Sequence, residues 1–285
     1  MQWTEGDVRA NGLRLRYRRA GTERSTRVLL LHGVTGNGDG WGQLADRLAR
    51  DHDVILLDQR GHGRSEAPTG GYDLDSFARD AADVLTHLNA APAAVLGHSL
   101  GARVALALAV PRPDLVSRLI LEDPPLDAQE ALTGPTPAAA AAARYAWFAW
   151  LRELRALSRD DLLALRRRES PTWSEDDRAR WAESIAEANP ALWGSDGLRI
   201  EGDWRRELAA VRCPTLLVRG EPARGSIITD EEARDAERAM AAGRVVQVAG
   251  AGHMVHLDRH EPFAETVASF LSLRGIDKAR QDGGA

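Results

Sequence analysis

Cysteine is nearly absent from this chain of 285 residues: Cys213 stands alone. That excludes an internal disulfide and fits a reducing compartment. Because it precedes Pro214 at the start of an apolar run, it reads as a small packed residue and not as a nucleophile. Lysine is equally scarce, Lys278 being the only one, an imbalance we read as coding bias. Positive charge is not in excess. The formal net charge is −5 and the sequence pI about 5.9, so the basic face of a nucleic-acid binder is missing. No apolar run approaches the roughly 18 residues of a membrane span. The opening MQWTEGDVRANG has no apolar stretch after a basic head, so it does not read as a secretory signal. These absences predict a cytoplasmic protein with no nucleic-acid or membrane partner, working as a monomer or homodimer on a small molecule.

What is present is an ordinary globular balance, 44% hydrophobic and 28% charged, with ample material for a core. VRANGLRLRYRRAG carries an Asn-Gly pair between two alternating segments and predicts an N-terminal hairpin. RVLLLHG, DVILLD, AAVLGHS, RLILED, TLLVRGE and RVVQVAG are short, apolar on both faces, and end in glycine or acid. Such runs suit strands buried on both sides of a sheet. Helical patterns lie between them at 41–50, 75–89, 100–110, 230–242 and 260–273. Regular alternation of this kind predicts a mostly parallel sheet with helices on both faces.

The alternation breaks once, from about Pro124 to Arg206, where only helix-like text is found. Six of the eight tryptophans fall there, at 147, 150, 173, 181, 193 and 204. We expect core domain segments at 1–123 and 207–274, a helical cap at 124–206, and a frayed tail at 275–285. Trp147, Trp150, Leu151 and Leu154 form one apolar stripe on a helix. Trp147 and Trp150 are the expected substrate-binding residues, since ligand cavities are mainly apolar and aromatic.

VLGHSLGARVALALA places Gly97-His98-Ser99-Leu100-Gly101 directly after a strand and before a helix. A G-x-S-x-G in that setting lifts the serine hydroxyl above the sheet, and a serine needs a histidine to take its proton. His253 follows the last expected strand, with His256 and His260 as close alternatives. His253 and His256 have no accompanying acid or cysteine cluster, so neither a metal nor a cofactor is expected. His98 would point away from Ser99, and His62, in a glycine-rich loop, suits a structural hydrogen-bonding role. The loop LLLHGVTGNG supplies a backbone N–H at Val34 that, with that of Leu100, can form an oxyanion hole.

LLLHGVTGN, DQRGHGRS, GHSLG and GAGHMVHLDRHEPF, in this order and spacing, resemble those of α/β-hydrolase fold proteins over roughly residues 10 to 273. The resemblance implies an eight-stranded, mostly parallel sheet, a helical cap between the sixth and seventh strands, and a serine–histidine–acid triad. Ser99 would be its nucleophile and His253 its base. Dehalogenases and epoxide hydrolases of this fold carry aspartate where Ser99 stands, which argues against those activities.

The sequence departs from the common pattern at one place. Most members have Gly-x-x-Asp after the seventh strand, whereas this chain has Gly220-Glu221-Pro222-Ala223-Arg224. A minority, including certain haloalkane dehalogenases and zearalenone-type lactonases, carry the acid after the sixth strand, and LILEDPP resembles that arrangement with Glu122 and Asp123. Consecutive residues of an extended chain point to opposite faces, so one of the two can serve. Asp123 is favoured, Glu122 and Glu221 are the other candidates, and backbone capping at the start of the cap is the alternative role for Asp123. The expected activity is cleavage of an apolar or aromatic carboxylic ester or lactone by a serine hydrolase. Thioester, amide or C–C bond hydrolysis, a lyase, or a ligand sensor using the capped cavity are the rivals.

Overall fold

In the computed structural model, which describes residues 2–126, 137–193 and 197–273, the chain opens with the hairpin that Asn11-Gly12 predicts. β1 (Thr4–Ala10) pairs antiparallel with β2 (Leu13–Ala20), and Ala10 faces Leu13 across a two-residue loop. The φ angles of Asn11 and Gly12 are 48° and 81°, both positive as a type I′ turn requires.

The remaining strands are β3 (Arg27–Leu31), β4 (Asp53–Leu57), β5 (Ala93–His98), β6 (Val116–Glu122), β7 (Thr215–Arg219) and β8 (Gly243–Gln247). They complete an eight-stranded sheet in the order β1-β2-β4-β3-β5-β6-β7-β8. β2 runs antiparallel to β4, and every pair from β4 to β8 is parallel. The apolar runs have no polar face because both faces are covered. Leu29, Leu31, Ile55, Leu57, Val95, Leu119, Leu121 and Leu217 join a core beneath α2 (Leu74–His87) and α3 (Leu100–Ala109). The alternate residues Val28, Leu30, Val54, Leu56, Leu96, Ile120 and Leu216 join a second core. That one lies beneath α1 (Gly42–Leu48) and the C-terminal helix His260–Ser272. Burial on both sides follows from the period of two along each strand.

Among the described residues between β6 and β7, three long helices take the place of strands: α4 (Pro137–Ala156), α5 (Arg159–Glu169) and α6 (Glu175–Glu187). Ser158 and Ser174 cap α5 and α6 by accepting the amides of Asp161 and Asp177, each closing an otherwise orphaned donor. Leu154, Leu162, Leu163, Trp173, Trp181, Ala182 and Ile185 form a cluster of their own. The buried stripe of α4 is Phe148, Leu151 and Leu154, whereas Trp150 is 43% exposed. Trp150 precedes Leu151 by one position, about 100° of turn on a helix, which takes it off the face that packs. Trp193 and Trp204 sit in the main core. Trp204 opens α7 (Trp204–Ala210), which precedes β7. Between β7 and β8, α8 (Asp230–Ala239) starts with a reciprocal Thr229–Glu232 capping box. The short α9 (Val255–Asp258) then leads into the C-terminal helix, α10 (His260–Ser272). The tail expected to fray, 275–285, lies outside the described residues.

The seat of α3 against the sheet has no slack. A Cβ on Gly101 would stand 2.0 Å from the Leu31 carbonyl oxygen, and one on Gly97 would stand 2.1 Å from the Gly101 carbonyl oxygen. Gly101→Ala is expected to lower stability by about 3 kcal/mol, because backbone and not a flexible side chain must yield. Urea unfolding measures this, and an unchanged midpoint would show that α3 can ride further from β3.

Candidate active site

Ser99 sits where β5 ends and α3 begins, with φ 51° and ψ −115°. That left-handed conformation is unusual for a residue with a side chain and marks the sharp strand-to-helix turn. The Ser99 N–H donates to the Glu122 carbonyl at 2.9 Å, so the end of β5 is zipped to the residue before Asp123. Leu100 is the first residue of α3, and the N–H groups of a helix's first turn have no partner within the helix.

The two consecutive acids diverge. Asp123, itself at φ 41°, is fully buried, and its Oδ2 accepts the Nδ1–H of His253 at 2.7 Å. Ser226 donates to Asp123 Oδ1 at 2.5 Å and the Ile227 amide to Oδ2 at 2.9 Å. A buried carboxylate is costly without donors, and three different groups meet that demand here. Glu122 turns to His256 instead, accepting its backbone N–H at 2.8 Å and its Nδ1–H at 2.8 Å. Glu221 bonds the Gly250 amide and Arg224, bracing the start of the loop that carries His253 without touching the histidine itself. The structure therefore joins His253 to Asp123, pairs His256 with Glu122, and leaves Glu221 with neither histidine. The β7 loop that lacks Gly-x-x-Asp furnishes Ser226 and Ile227 as donors to the acid that directly follows β6. No pattern in the sequence marks Ser226 for this.

The loop after β3 passes directly over the elbow: a Cβ on Gly33 would lie 3.2 Å from Ser99 Cβ. The Gln59 amide donates to His32 Nε2 at 3.1 Å, leaving His32 Nδ1–H to donate to the Gly33 carbonyl at 2.8 Å. This fixes the Gly33–Val34 peptide with its carbonyl toward His32. In a trans peptide the N–H lies opposite the carbonyl, so the Val34 N–H is directed away from His32. His62 lies between the carbonyls of Arg60 and Val34, 3.0 Å from each. Burial lowers its pKa to about 4.

His98 proves to be a structural partner of His253. Its Nε2–H donates to the His253 carbonyl at 3.1 Å, and the two rings lie 4.7 Å apart. Burial, reinforced by His253 and His256, holds its pKa well below the usual histidine range. The side chain of His253, by contrast, is 31% exposed. A small cavity of about 20 Å³, lined among others by Thr35, Trp41, His98, Trp181 and Met254, adjoins these groups. That is room for about one water-sized body. Trp147, half-buried and 5.3 Å from the Phe148 ring, and exposed Trp150 are not among the residues lining it. Trp181 is the cap tryptophan found there, a residue that helical periodicity did not separate from the others.

Residues 28–266 match the sequence profile of the alpha/beta hydrolase family, and the chain belongs to that family. It is a hydrolase whose sheet and helices follow the fold of its relatives. It is 31% identical over 271 residues to N-formylmaleamate deformylase of Pseudomonas putida, covering 93% of this chain and 96% of that one. The solved structure of E-2-(acetamidomethylene)succinate hydrolase superposes with a TM-score of 0.80 at 25% identity, covering 95% of this chain and all of that one. Est816, described as an N-acyl homoserine lactone degrading enzyme, gives 0.73 at 25% identity over 93% of this chain and all of its own. Among the described residues, no helix is long and apolar enough to cross a membrane.

The buried neutral histidines make stability fall with acid. The unfolded chain takes up a proton on His62 as pH drops through about 6.5, whereas the folded protein resists until about 4. Between pH 7 and 5 the unfolded state therefore binds more protons and gains ground. His62 alone is expected to contribute about 2 kcal/mol of that loss. Urea midpoints at both pH values, for the wild type and His62→Gln, measure it. An equal pH 7-to-5 loss in the variant would place the titration elsewhere.

Proposed function

We propose that the protein is a serine hydrolase of carboxylic acyl derivatives, acting on an ester or lactone through a Ser99 acyl-enzyme, with no metal or cofactor. The observation that carries this reading is the 2.7 Å contact between His253 Nδ1 and a buried, fully bonded Asp123. Nδ1–H committed to the carboxylate leaves Nε2 unprotonated, the form in which a histidine acts as base. In this scheme Ser99 Oγ attacks the acyl carbon while His253 Nε2 takes its proton. The N–H groups of Val34 and Leu100 bond the developing oxyanion. As the tetrahedral species collapses, the leaving oxygen receives that proton. Water, deprotonated by the same nitrogen, then releases the acid and restores Ser99. Asp123 keeps its negative charge throughout, stabilises the imidazolium and holds the tautomer. The cavity beside His98 holds about one water and is too small for an acyl chain. Trp181 and Met254 in its wall and Trp147 and Trp150 outside it are therefore alike candidates to contact the apolar part of the substrate.

A second reading, hydrolysis of an acyl–nitrogen bond, is favoured by the relative that spans nearly the whole chain, a deformylase. The catalytic groups would be the same, with His253 protonating a leaving nitrogen. Matched esters, lactones and N-formyl or N-acetyl compounds assayed side by side separate the two readings.

A fluorophosphonate is expected to label Ser99, and Ser99→Ala to retain only residual turnover. Asp123→Asn keeps the shape but loses the charge, and by analogy with serine proteases turnover should fall by a factor on the order of 10⁴. Glu221→Gln should stay within about threefold of wild type, since the neutral amide keeps an oxygen for the Gly250 N–H and Glu221 does not bond His253. Near-normal turnover in folded Asp123→Asn would refute the assignment of the acid.

A further inference from the structure

The cap is bonded to both of the loops that bear on the reaction, and the pattern of those bonds singles out Asp258. This residue closes α9, five positions after His253. Its Oδ2 accepts the N–H of Gly252, the residue before His253, at 2.7 Å. Its Oδ1 accepts the indole N–H of Trp173, from the turn between α5 and α6, also at 2.7 Å. One carboxylate thus spans the cap and the peptide adjoining the base. Gly252 has little freedom to absorb a displacement: a Cβ there would stand 2.3 Å from the Arg224 carbonyl oxygen and 3.2 Å from Asp258 Oδ2.

Packing follows the same route. Met254 and Leu257, on either side of the Glu122–His256 pair, pack on the cap's own cluster of Leu154, Leu162, Leu163, Trp173, Trp181 and Ile185. Trp173 and Trp181 are held within the cap by the Arg166 guanidinium, 5.6 Å and 4.1 Å from their ring centroids. Further along the same helix pair, Ser184 donates to the Thr35 carbonyl at 2.6 Å, and Asn37 donates to Glu187 at 2.8 Å. The helices that hold Trp173 therefore also grip the loop carrying Val34.

Resting on the reading of His253 as the base, we propose that Asp258 is a positioning residue that couples the seating of the cap, through Trp173, to the placement of His253. A carboxylate that served only to fasten the cap could bond any part of the main domain. This one uses its second oxygen on the peptide next to the base. Hydrogen bonds to a charged acceptor are among the stronger ones, and a displacement of about 1 Å in a reacting group can lower a rate by about 100-fold. Withdrawal of the cap would thus loosen His253 and the Val34 loop together, and the reacting groups would be in register only beneath a seated cap.

The test compares Trp173→Phe, which keeps an aromatic ring but removes the donor, with Asp258→Asn. Both are assayed on a small acetate ester that has no bulk to contact the cap. Histidine resonances of the ¹⁵N-labelled proteins and melting temperatures are recorded alongside. Expected is a fall in kcat of about 10-fold for Trp173→Phe and up to about 100-fold for Asp258→Asn, with KM near its wild-type value. The double variant should be no worse than Asp258→Asn alone, as for two residues acting through one bond. The His253 ring signals should move while those of exposed His87 stay. Should Trp173→Phe fail to fold, Asp258→Glu, which keeps the charge and shifts it by one methylene, gives the same readout. Unchanged kcat and unmoved His253 signals, with the loss confined to melting temperature or to KM for bulky esters, would overturn the coupling. If the wild type hydrolyses no acyl compound, the reading of the reaction fails, while the His253 signals still decide this one.

Discussion

Burial of the Asp123 carboxylate is the constraint from which the site is built. A charge removed from water must be met by donors fixed in place, and Asp123 takes them from two other parts of the chain. Ser226 and the Ile227 amide come from the segment after β7, and His253 comes from the segment after β8. The acid itself directly follows β6, so one carboxylate ties together the C-terminal edges of three neighbouring parallel strands. In a doubly wound sheet those edges are where ligand sites form. Loss of any donor would leave charge uncompensated in the interior, so the three loops are held mutually and not one by one.

The neighbouring Glu122 obeys the same rule with a different partner, and the pairings explain why two acids can follow one another at the end of a buried strand. Glu122 ends the strand and Asp123 turns off it at φ 41°, which sends their side chains apart, and His253 and His256, three residues apart, receive them separately. Glu122 also accepts the backbone N–H of His256 in the first turn of α9, anchoring the helix that follows His253. His98 then holds the His253 carbonyl from below. The side chain of His253 is fixed by Asp123 and its backbone by His98, so both its position and its tautomer are set before any substrate arrives. Such prior placement is where most of an enzyme's electrostatic advantage lies.

Much of this was legible in the sequence, and the reasons differ by feature. The strands and helices are visible because burial on both faces leaves unbroken apolar runs, and because Asn11-Gly12 and Gly97-x-Ser99-x-Gly101 answer local backbone demands. Ser99 stood out for the same reason: the residues that make its turn are adjacent to it. Ser226, by contrast, meets Asp123 across 103 positions, and no local pattern encodes a contact of that range. Trp181 was hidden among six cap tryptophans, since periodicity tells which face of a helix is apolar but not what that face meets. The expected stripe on α4 held Leu151 and Leu154 but took in exposed Trp150 and passed over Phe148, for a related reason. Trp147, Phe148, Trp150 and Leu151 are all apolar, so the sequence leaves open which aromatics join Leu151 and Leu154 on the buried face until the partner surface is known.

The cap changes meaning when its contacts are followed to their ends. An insertion between β6 and β7 needs only an apolar underside to stay in place, and the cluster around Leu154 and Trp181 already supplies one. Yet its polar groups reach past that cluster to Thr35, Asn37 and Asp258, which belong to the loops around Val34 and His253. Polar contacts between separate layers add little net stability, because water would have satisfied the same groups. Their value is directional: a hydrogen bond fixes distance and angle where apolar packing tolerates sliding. Three of them between one helix pair and two loops constrain the cap's orientation relative to Val34 and His253 more than they constrain its attachment. The helices between β6 and β7 are accordingly tied to the geometry around Val34 and His253 as well as packed against it.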